Sequence, residues 1–193
     1  LLAQASPNVQ AGPSTKPDPN LTIREVLDRA SARVDEKLAN QPMVRAAIEH
    51  TLGTTYLELG LYEKARAHSE RAAELRGRWL GPGHPDTLSS LDRQAAALQG
   101  LAQYPRAEEI WNGILTRQRT AHGERHPLTL STLRRLAMLY RAQGKYPQAE
   151  NLLAKVLATR RQYLGADTQD TLRAAGDLAA VYTSMGKHGE AEK

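Results

Sequence analysis

The residues of this 193-residue chain that could do chemistry fall into four groups. His122-Gly123-Glu124-Arg125-His126 sets two imidazoles four positions apart, the separation of a helical zinc site. Such a site needs both histidines on one continuous helical face, with Glu directly after the first. Here Glu124 comes two after His122, and Gly123 and Pro127 interrupt a helix. The run is expected to be an inter-helix loop that includes His122, and no metal is assigned to it. Gly81-Pro82-Gly83 is glycine-rich but lacks the Gly-Lys-Ser/Thr that cradles phosphate, so it reads as a turn. Ser89, Ser90 and Ser131 have no base at a spacing that would activate a hydroxyl. No catalytic constellation emerges, and no cofactor is implied. The fourth group is cationic: Arg93, Arg134 and Arg135. Guanidinium groups present paired N–H donors to a carboxylate, which suits binding rather than catalysis.

The elements that hold these arginines repeat every 42 residues. Gly81-Pro82-Gly83-His84-Pro85-Asp86-Thr87-Leu88 recurs as Gly123-Glu124-Arg125-His126-Pro127-Leu128-Thr129-Leu130, and again from Gly165 to Leu172. The same shift links Tyr62, Tyr104 and Tyr146, and links Gly60, Ala102, Gly144 and Gly186. Each unit reads as two helices. In the third copy Leu130, Leu133, Leu136, Ala137 and Tyr140 form one stripe. Gly144 stops that helix, and Ala149, Leu152, Leu153, Val156, Leu157 and Leu164 form the second stripe. Pro85 and Pro127 begin first helices, and Pro105 and Pro147 begin second ones, because a first-turn residue needs no N–H partner. His84, His126 and Thr168 lie near the N-caps, and Asp86 and Asp170 suit the helix dipole there. Neither helix can bury its stripe alone, so antiparallel pairs must stack into a solenoid. The expected helices run 42–59, 62–80, 85–102, 104–121, 127–143, 146–164 and 169–185.

These residues resemble the tetratricopeptide repeat (TPR) family. The pattern is carried by Leu52, Gly53, Tyr56, Ala65 and Ala72; by Leu91, Ala95, Leu98, Ala107, Trp111 and Ile114; and by Leu133, Leu136, Ala137, Tyr140, Ala149, Leu153 and Val156. Leu178, Ala179, Tyr182 and Ala191 follow in a fourth copy, while Glu49, Ser69 and Gln94 depart from it. The 42-residue period and the His-Pro at the repeat start are similar to the kinesin-light-chain type. The resemblance implies an all-α, right-handed superhelix of antiparallel helix pairs with an N-terminal capping helix. It divides residues 21–193 into a cap at 22–39 and repeats at 42–80, 84–122, 126–164 and, truncated, 168–193. Tyr56, Tyr140 and Tyr182 are expected to pack between helices, with Trp111 in the core and Trp79 and Tyr163 half exposed.

Residues 1–20 hold four of the ten prolines and read as a linker or irregular arm. Thr22-Ile23-Arg24-Glu25 has the form of a capping box, and Ile23, Val26, Leu27, Ala30, Val34 and Leu38 make the stripe of the cap. The run Leu21 to Ala30, with Leu52-Gly53 and Leu59-Gly60-Leu61-Tyr62, is similar to TPR segments downstream of bacterial serine/threonine kinase domains. That likeness implies a sensory or regulatory region of a larger signalling protein. The chain opens without Met and closes on Glu192-Lys193 in what reads as mid-helix, so it is expected to be part of a longer protein.

Composition narrows the partners. Without cysteine there is no disulfide, thiolate metal site or cysteine nucleophile, and either redox compartment is compatible. No run approaches the ~20 apolar residues of a membrane helix. The 26 Lys and Arg and 21 Asp and Glu leave a charge of +5, but they interleave along both helices instead of clustering with aromatics. Nucleic acid is therefore not the expected partner. In a TPR superhelix the first-helix face opposite the core stripe lines a concave groove. Ser89, Arg93, Ser131, Arg135, Met138, Arg173 and Asp177 fall on that face, with Arg134 beside them. These are the candidate binding residues, and a protein or acidic peptide is the expected partner. No first-helix Asn is present to form a carboxylate clamp of the TPR type. Self-association through the C-terminal edge is a further expectation.

Overall fold

The computed structural model of the protein describes residues 22, 25–29, 31, 32, 38 and 40–191. The expected arm at 1–20 and most of the cap helix at 22–39 lie outside the described residues. Proline and glycine set the helix ends. After helical residues 25–29 and 31–32 come α1 (Pro42–Glu58), α2 (Tyr62–Leu80), α3 (Pro85–Gly100), α4 (Tyr104–His122), α5 (Pro127–Ala142), α6 (Tyr146–Leu164), α7 (Gln169–Ser184) and α8 (His188–Ala191). There is no strand among the described residues. Each helix packs on the next, and the first helices of successive pairs touch: α1 on α3, and α5 on α7.

Two repeated turns do this work. Between pairs, Gly81, Gly123 and Gly165 take φ of 95°, 86° and 93°. Their carbonyls accept the hydroxyls of Thr87, Thr129 and Thr171 at 2.9, 2.8 and 2.9 Å. His84 and His126 cap α3 and α5 through Nδ1, which accepts the N–H of Asp86 at 3.1 Å and of Leu128 at 3.3 Å. Thr168 does the same for α7 with its hydroxyl. Within pairs, the N–H groups of Leu61, Gln103, Lys145 and Lys187 each bond at 2.9 Å to the carbonyl of Tyr56, Leu98, Tyr140 or Tyr182. This closure puts the preceding residue in the left-handed region. Gly60, Gly144 and Gly186 accept that readily, whereas Ala102 adopts φ 57° with a Cβ.

One expectation needs correction, and one packing residue is less buried than its counterpart in the first pair. His122 is not in a loop: α4 runs through it and stops only at Gly123. Tyr140 is half-buried, because its hydroxyl reaches the edge of the stack to donate to Glu108 at 2.8 Å. Burial, and then that hydrogen bond, raise the pKa of its phenol. Tyr56, at the corresponding position, is completely buried and donates to Asp28 at 2.7 Å. Trp79 and Tyr163 are 60% and 48% exposed, so they lie outside the core.

The core is continuous from Leu88 to Val181 and holds Trp111, Leu133, Leu136, Leu153 and Val156. A smaller cluster of Leu52, Tyr56, Ala65 and Ala97 receives Leu27 and Leu38 from the N-terminal segment. The capping box at that segment's start is formed: Thr22 N–H meets Glu25 Oε2 at 2.9 Å, and Glu25 N–H meets Thr22 Oγ1 at 3.3 Å. In the first pair Glu49, His68 and Ser69 take the places held by Leu91, Ile110 and Trp111 one repeat later, and all three are buried. Gly53 is obligatory there, since a Cβ would lie 2.4 Å from Ser69 Oγ.

Ala102→Gly should raise unfolding free energy by about 0.5–1 kcal/mol, the relief of left-handed strain less the added freedom of the unfolded chain. Urea denaturation would show it. By the same measurement Tyr56→Ala should cost about 3–5 kcal/mol, and Tyr140→Ala less, about 2–3 kcal/mol, because its ring is only half-buried.

Candidate functional site

The first helices α1, α3, α5 and α7 lie side by side and carry two adjacent ladder positions. One holds His50, Asp92, Arg134 and Gly176, and the next holds Thr51, Arg93, Arg135 and Asp177. A residue of the first position meets a residue of the second position one repeat on. Asp92 Oδ1 lies 2.6 Å from Arg135 Nε and also accepts the Trp111 indole N–H at 3.0 Å. Arg134 Nη1 lies 2.5 Å from Asp177 Oδ2. The second of these rungs repeats the first with its charges reversed. Burial pulls the Arg135 guanidinium below its ordinary value, with Asp92 opposing and Arg93 and Arg134 adding to the fall.

The rung before these has no acid. Its positions are His50 and Arg93. His50 Nδ1 lies 3.2 Å from Ser90 Oγ, and Arg76 Nη1 donates to the same oxygen at 2.9 Å and to the Asp86 carbonyl at 3.0 Å. Arg93 Nε is buried and has no hydrogen-bond partner. Burial lowers the His50 pKa, Arg76 and Arg93 lower it further, and Asp86 and Asp92 act against them.

Second helices support this face from beneath. Buried Arg160 donates through Nη1 to the Asp170 carbonyl at 2.6 Å and through Nη2 to Ser131 Oγ at 3.3 Å. At the same position one repeat earlier, Gln118 accepts the Thr132 hydroxyl at 2.7 Å. A cavity of about 220 Å³ opens between α3, α4 and α5, lined in part by Ser89, Asp92, Gln118, Ser131 and Arg135.

Of the residues expected on the groove, Ser89, Ser131 and Arg135 thus meet around one cavity. Arg134 and Asp177 meet each other, Arg93 stands one rung away, and neither half-buried Met138 nor exposed Arg173 joins the cavity. Sequence reasoning passed over Asp92, His50 and Arg76, and weighed Ser90 only as a nucleophile, without His50 beside it. The signal for Asp92 was present, since opposite charges stand 43 residues apart at both 92/135 and 134/177. It is masked by scanning at the strict 42-residue period.

A second polar cluster lies where the N-terminal segment docks. Buried His68 joins Glu49 Oε2 through Nδ1 at 2.6 Å and Ser31 Oγ through Nε2 at 3.1 Å, and its ring stacks on Tyr56. The order Ser–His–Glu has the distances of an acyl-transfer triad. Helical amides are committed to carbonyls one turn back, however, so Ser31 brings no N–H pair for an oxyanion. The cluster ties the N-terminal segment to α2. The His122 and His126 rings stack with centroids 4.4 Å apart, and no group of three metal-donor side chains occurs among the described residues. No described helix is long and apolar enough to cross a membrane.

A family model described as tetratricopeptide repeat matches residues 44–110, 88–162 and 134–193. Among solved structures, a Podosopora anserina kinesin light chain with nearly identical TPR-like repeats is similar at 26% identity and a TM-score of 0.72, covering 87% of this chain and 79% of that one. The P. vanneervenii protein BtubC (BKLC) shares the fold at 21% identity and a TM-score of 0.69, covering 88% and 67%. A clustered mitochondria protein homolog of Aspergillus oryzae is 31% identical over an alignment 101 residues long that covers 44% of this chain and 8% of that protein's length.

Asp92→Ala should cost about 2–3 kcal/mol, because it leaves both the Trp111 N–H and Arg135 unpaired. Arg93→Ala should leave stability unchanged or slightly raised, because it removes a buried N–H that has no acceptor. Chemical denaturation distinguishes the two. His50 resists protonation in the folded state, so the unfolded chain binds its proton first and stability declines as pH falls below the ordinary value of 6.5. The slope of melting temperature against pH should be shallower in His50→Gln.

Proposed function

This chain belongs to the tetratricopeptide repeat family, and on that premise we propose that it is a non-catalytic interaction module holding an acidic peptide or protein segment against its first-helix face. The observation that carries the reading is the cavity between α3, α4 and α5. Ser89 and Ser131 keep it open, while Arg135 and Asp92 give it a polar wall. Small hydroxyl-bearing side chains leave room for a ligand chain, and the guanidinium supplies directional donors. The net charge of +5 favours approach of an acidic partner and makes the encounter salt-sensitive.

The working unit in this reading is residues 21–193, with a cap at 22–39 and four repeat units from residue 42, the last truncated, after an arm at 1–20. The likeness of Leu21 to Ala30 to segments downstream of bacterial kinase domains supports a regulatory setting for the same module. Self-association through the C-terminal edge, where Leu172 is 58% exposed, would show as a concentration-dependent molar mass in light scattering.

The double change Ser89→Trp with Ser131→Trp should fill the cavity. Peptides selected from a displayed random library on the native chain should lose roughly tenfold or more in affinity for the filled variant. Circular dichroism would confirm that helicity is kept. Selected peptides that bind both proteins equally would overturn the groove reading.

A further inference from the structure

The ladder between first helices is occupied by a carboxylate at two successive rungs and lacks one at the rung before. At the occupied rungs the carboxylate is the chain's own: Asp92 against Arg135, then Asp177 against Arg134. Each sits between the first helices of adjacent repeats, 43 residues from its cation. At the earlier rung the same two positions hold His50 and Arg93, and neither can supply an anion.

Three observations single out this rung. Arg93 Nε is buried with no acceptor, a state that costs free energy until one arrives. Arg76 brings a second guanidinium to the rung through Ser90 Oγ, the atom that His50 also touches, so two cationic or protonatable groups meet on that hydroxyl beside Arg93. The nearby acids are already placed elsewhere. Asp92 is committed to Arg135 and Trp111, and the Asp86 side chain is 59% exposed, 3.9 Å from His84.

We propose that His50 and Arg93 form a binding site for one side-chain carboxylate of an acidic peptide, completing the ladder from outside the chain, with the buried Ser90 hydroxyl holding His50 in place. This deepens the groove reading above and rests on it. The neighbouring rungs show the group that fits: a planar carboxylate takes the edge of a guanidinium with two oxygens. Its negative charge also favours the imidazolium form of His50. Binding therefore takes up a proton, and affinity rises as pH falls toward 6.

The probe is a six-glutamate peptide blocked at both ends, titrated against the full chain at low salt, with six-glutamine as the neutral control. The glutamate peptide should bind and the glutamine peptide should not. Arg93→Gln should weaken binding roughly tenfold, whereas Arg78→Gln, an exposed cation on α2, should leave it within about twofold. His50→Asp installs the missing acid internally, and should abolish binding while raising the melting temperature. The His50 imidazole, followed by NMR, should titrate at higher pH when the peptide is bound.

Equal losses from Arg93→Gln and Arg78→Gln would reduce the effect to general charge attraction and overturn the site. Tighter binding of inorganic phosphate than of acetate, lost on Arg93→Gln, would overturn the carboxylate assignment. If library peptides fill the cavity yet tolerate both Arg93→Gln and His50→Asp, the rung fails while the groove stands. If six-glutamate binding survives Ser89→Trp with Ser131→Trp but not His50→Asp, the rung stands and the larger groove fails.

Discussion

Every hairpin in this chain leaves apolar surface that only the next hairpin can cover. Ala and Leu stripes are too wide for one partner helix, so α3 and α4 are finished by α5 and α6, and those in turn by α7. Burial is what makes the stacking obligatory, and stacking brings the first helices into register side by side. Charges 43 residues apart then become neighbours. Without that apolar constraint Asp92 and Arg135 would be two solvated groups on separate helices.

Turn chemistry sets the spacing on which the register depends. Each inter-pair turn uses the same three parts: a glycine at positive φ, a threonine hydroxyl returning to its carbonyl, and a capping histidine or threonine. Identical turns give identical offsets, so a side chain at one ladder position always meets the neighbouring position one repeat on. Ala102 shows how strongly this geometry is imposed. The closure forces an alanine into the left-handed region, because the hydrogen bond from Gln103 to Leu98 requires it.

The first pair departs from the rest. Its core positions carry Glu49, His68 and Ser69 instead of hydrocarbon: His68 bonds to Glu49 and to Ser31, while the Ser69 hydroxyl is buried without a partner. A buried polar pair is costly to desolvate and is rewarded only when its partners are correctly placed. This end of the solenoid therefore depends on the N-terminal segment for polar contacts, while the later pairs depend on one another for apolar ones. The same end holds the rung without an acid, so both deviations from the repeat fall where the array meets what precedes it.

The sequence alone determined the helices, their pairing and their turns. Proline and glycine act locally, through backbone conformation, and a 42-residue recurrence needs no coordinates to be seen. The expected helix ends differ from the observed ones by no more than two residues, and at α4 a single residue is enough to move His122 from the expected loop into the helix. The face bearing Arg93, Arg134 and Arg135 was legible for the same reason, since helical spacing places side chains on a face. Only the tertiary structure decided which arginines are already taken. Pairing across repeats depends on an offset of one residue beyond the period, set by how adjacent helices pack, and on side-chain reach. For that reason Arg134 and Arg135 are bound by Asp177 and Asp92, and Arg93, of the same type and on the same face, keeps a buried nitrogen without a partner.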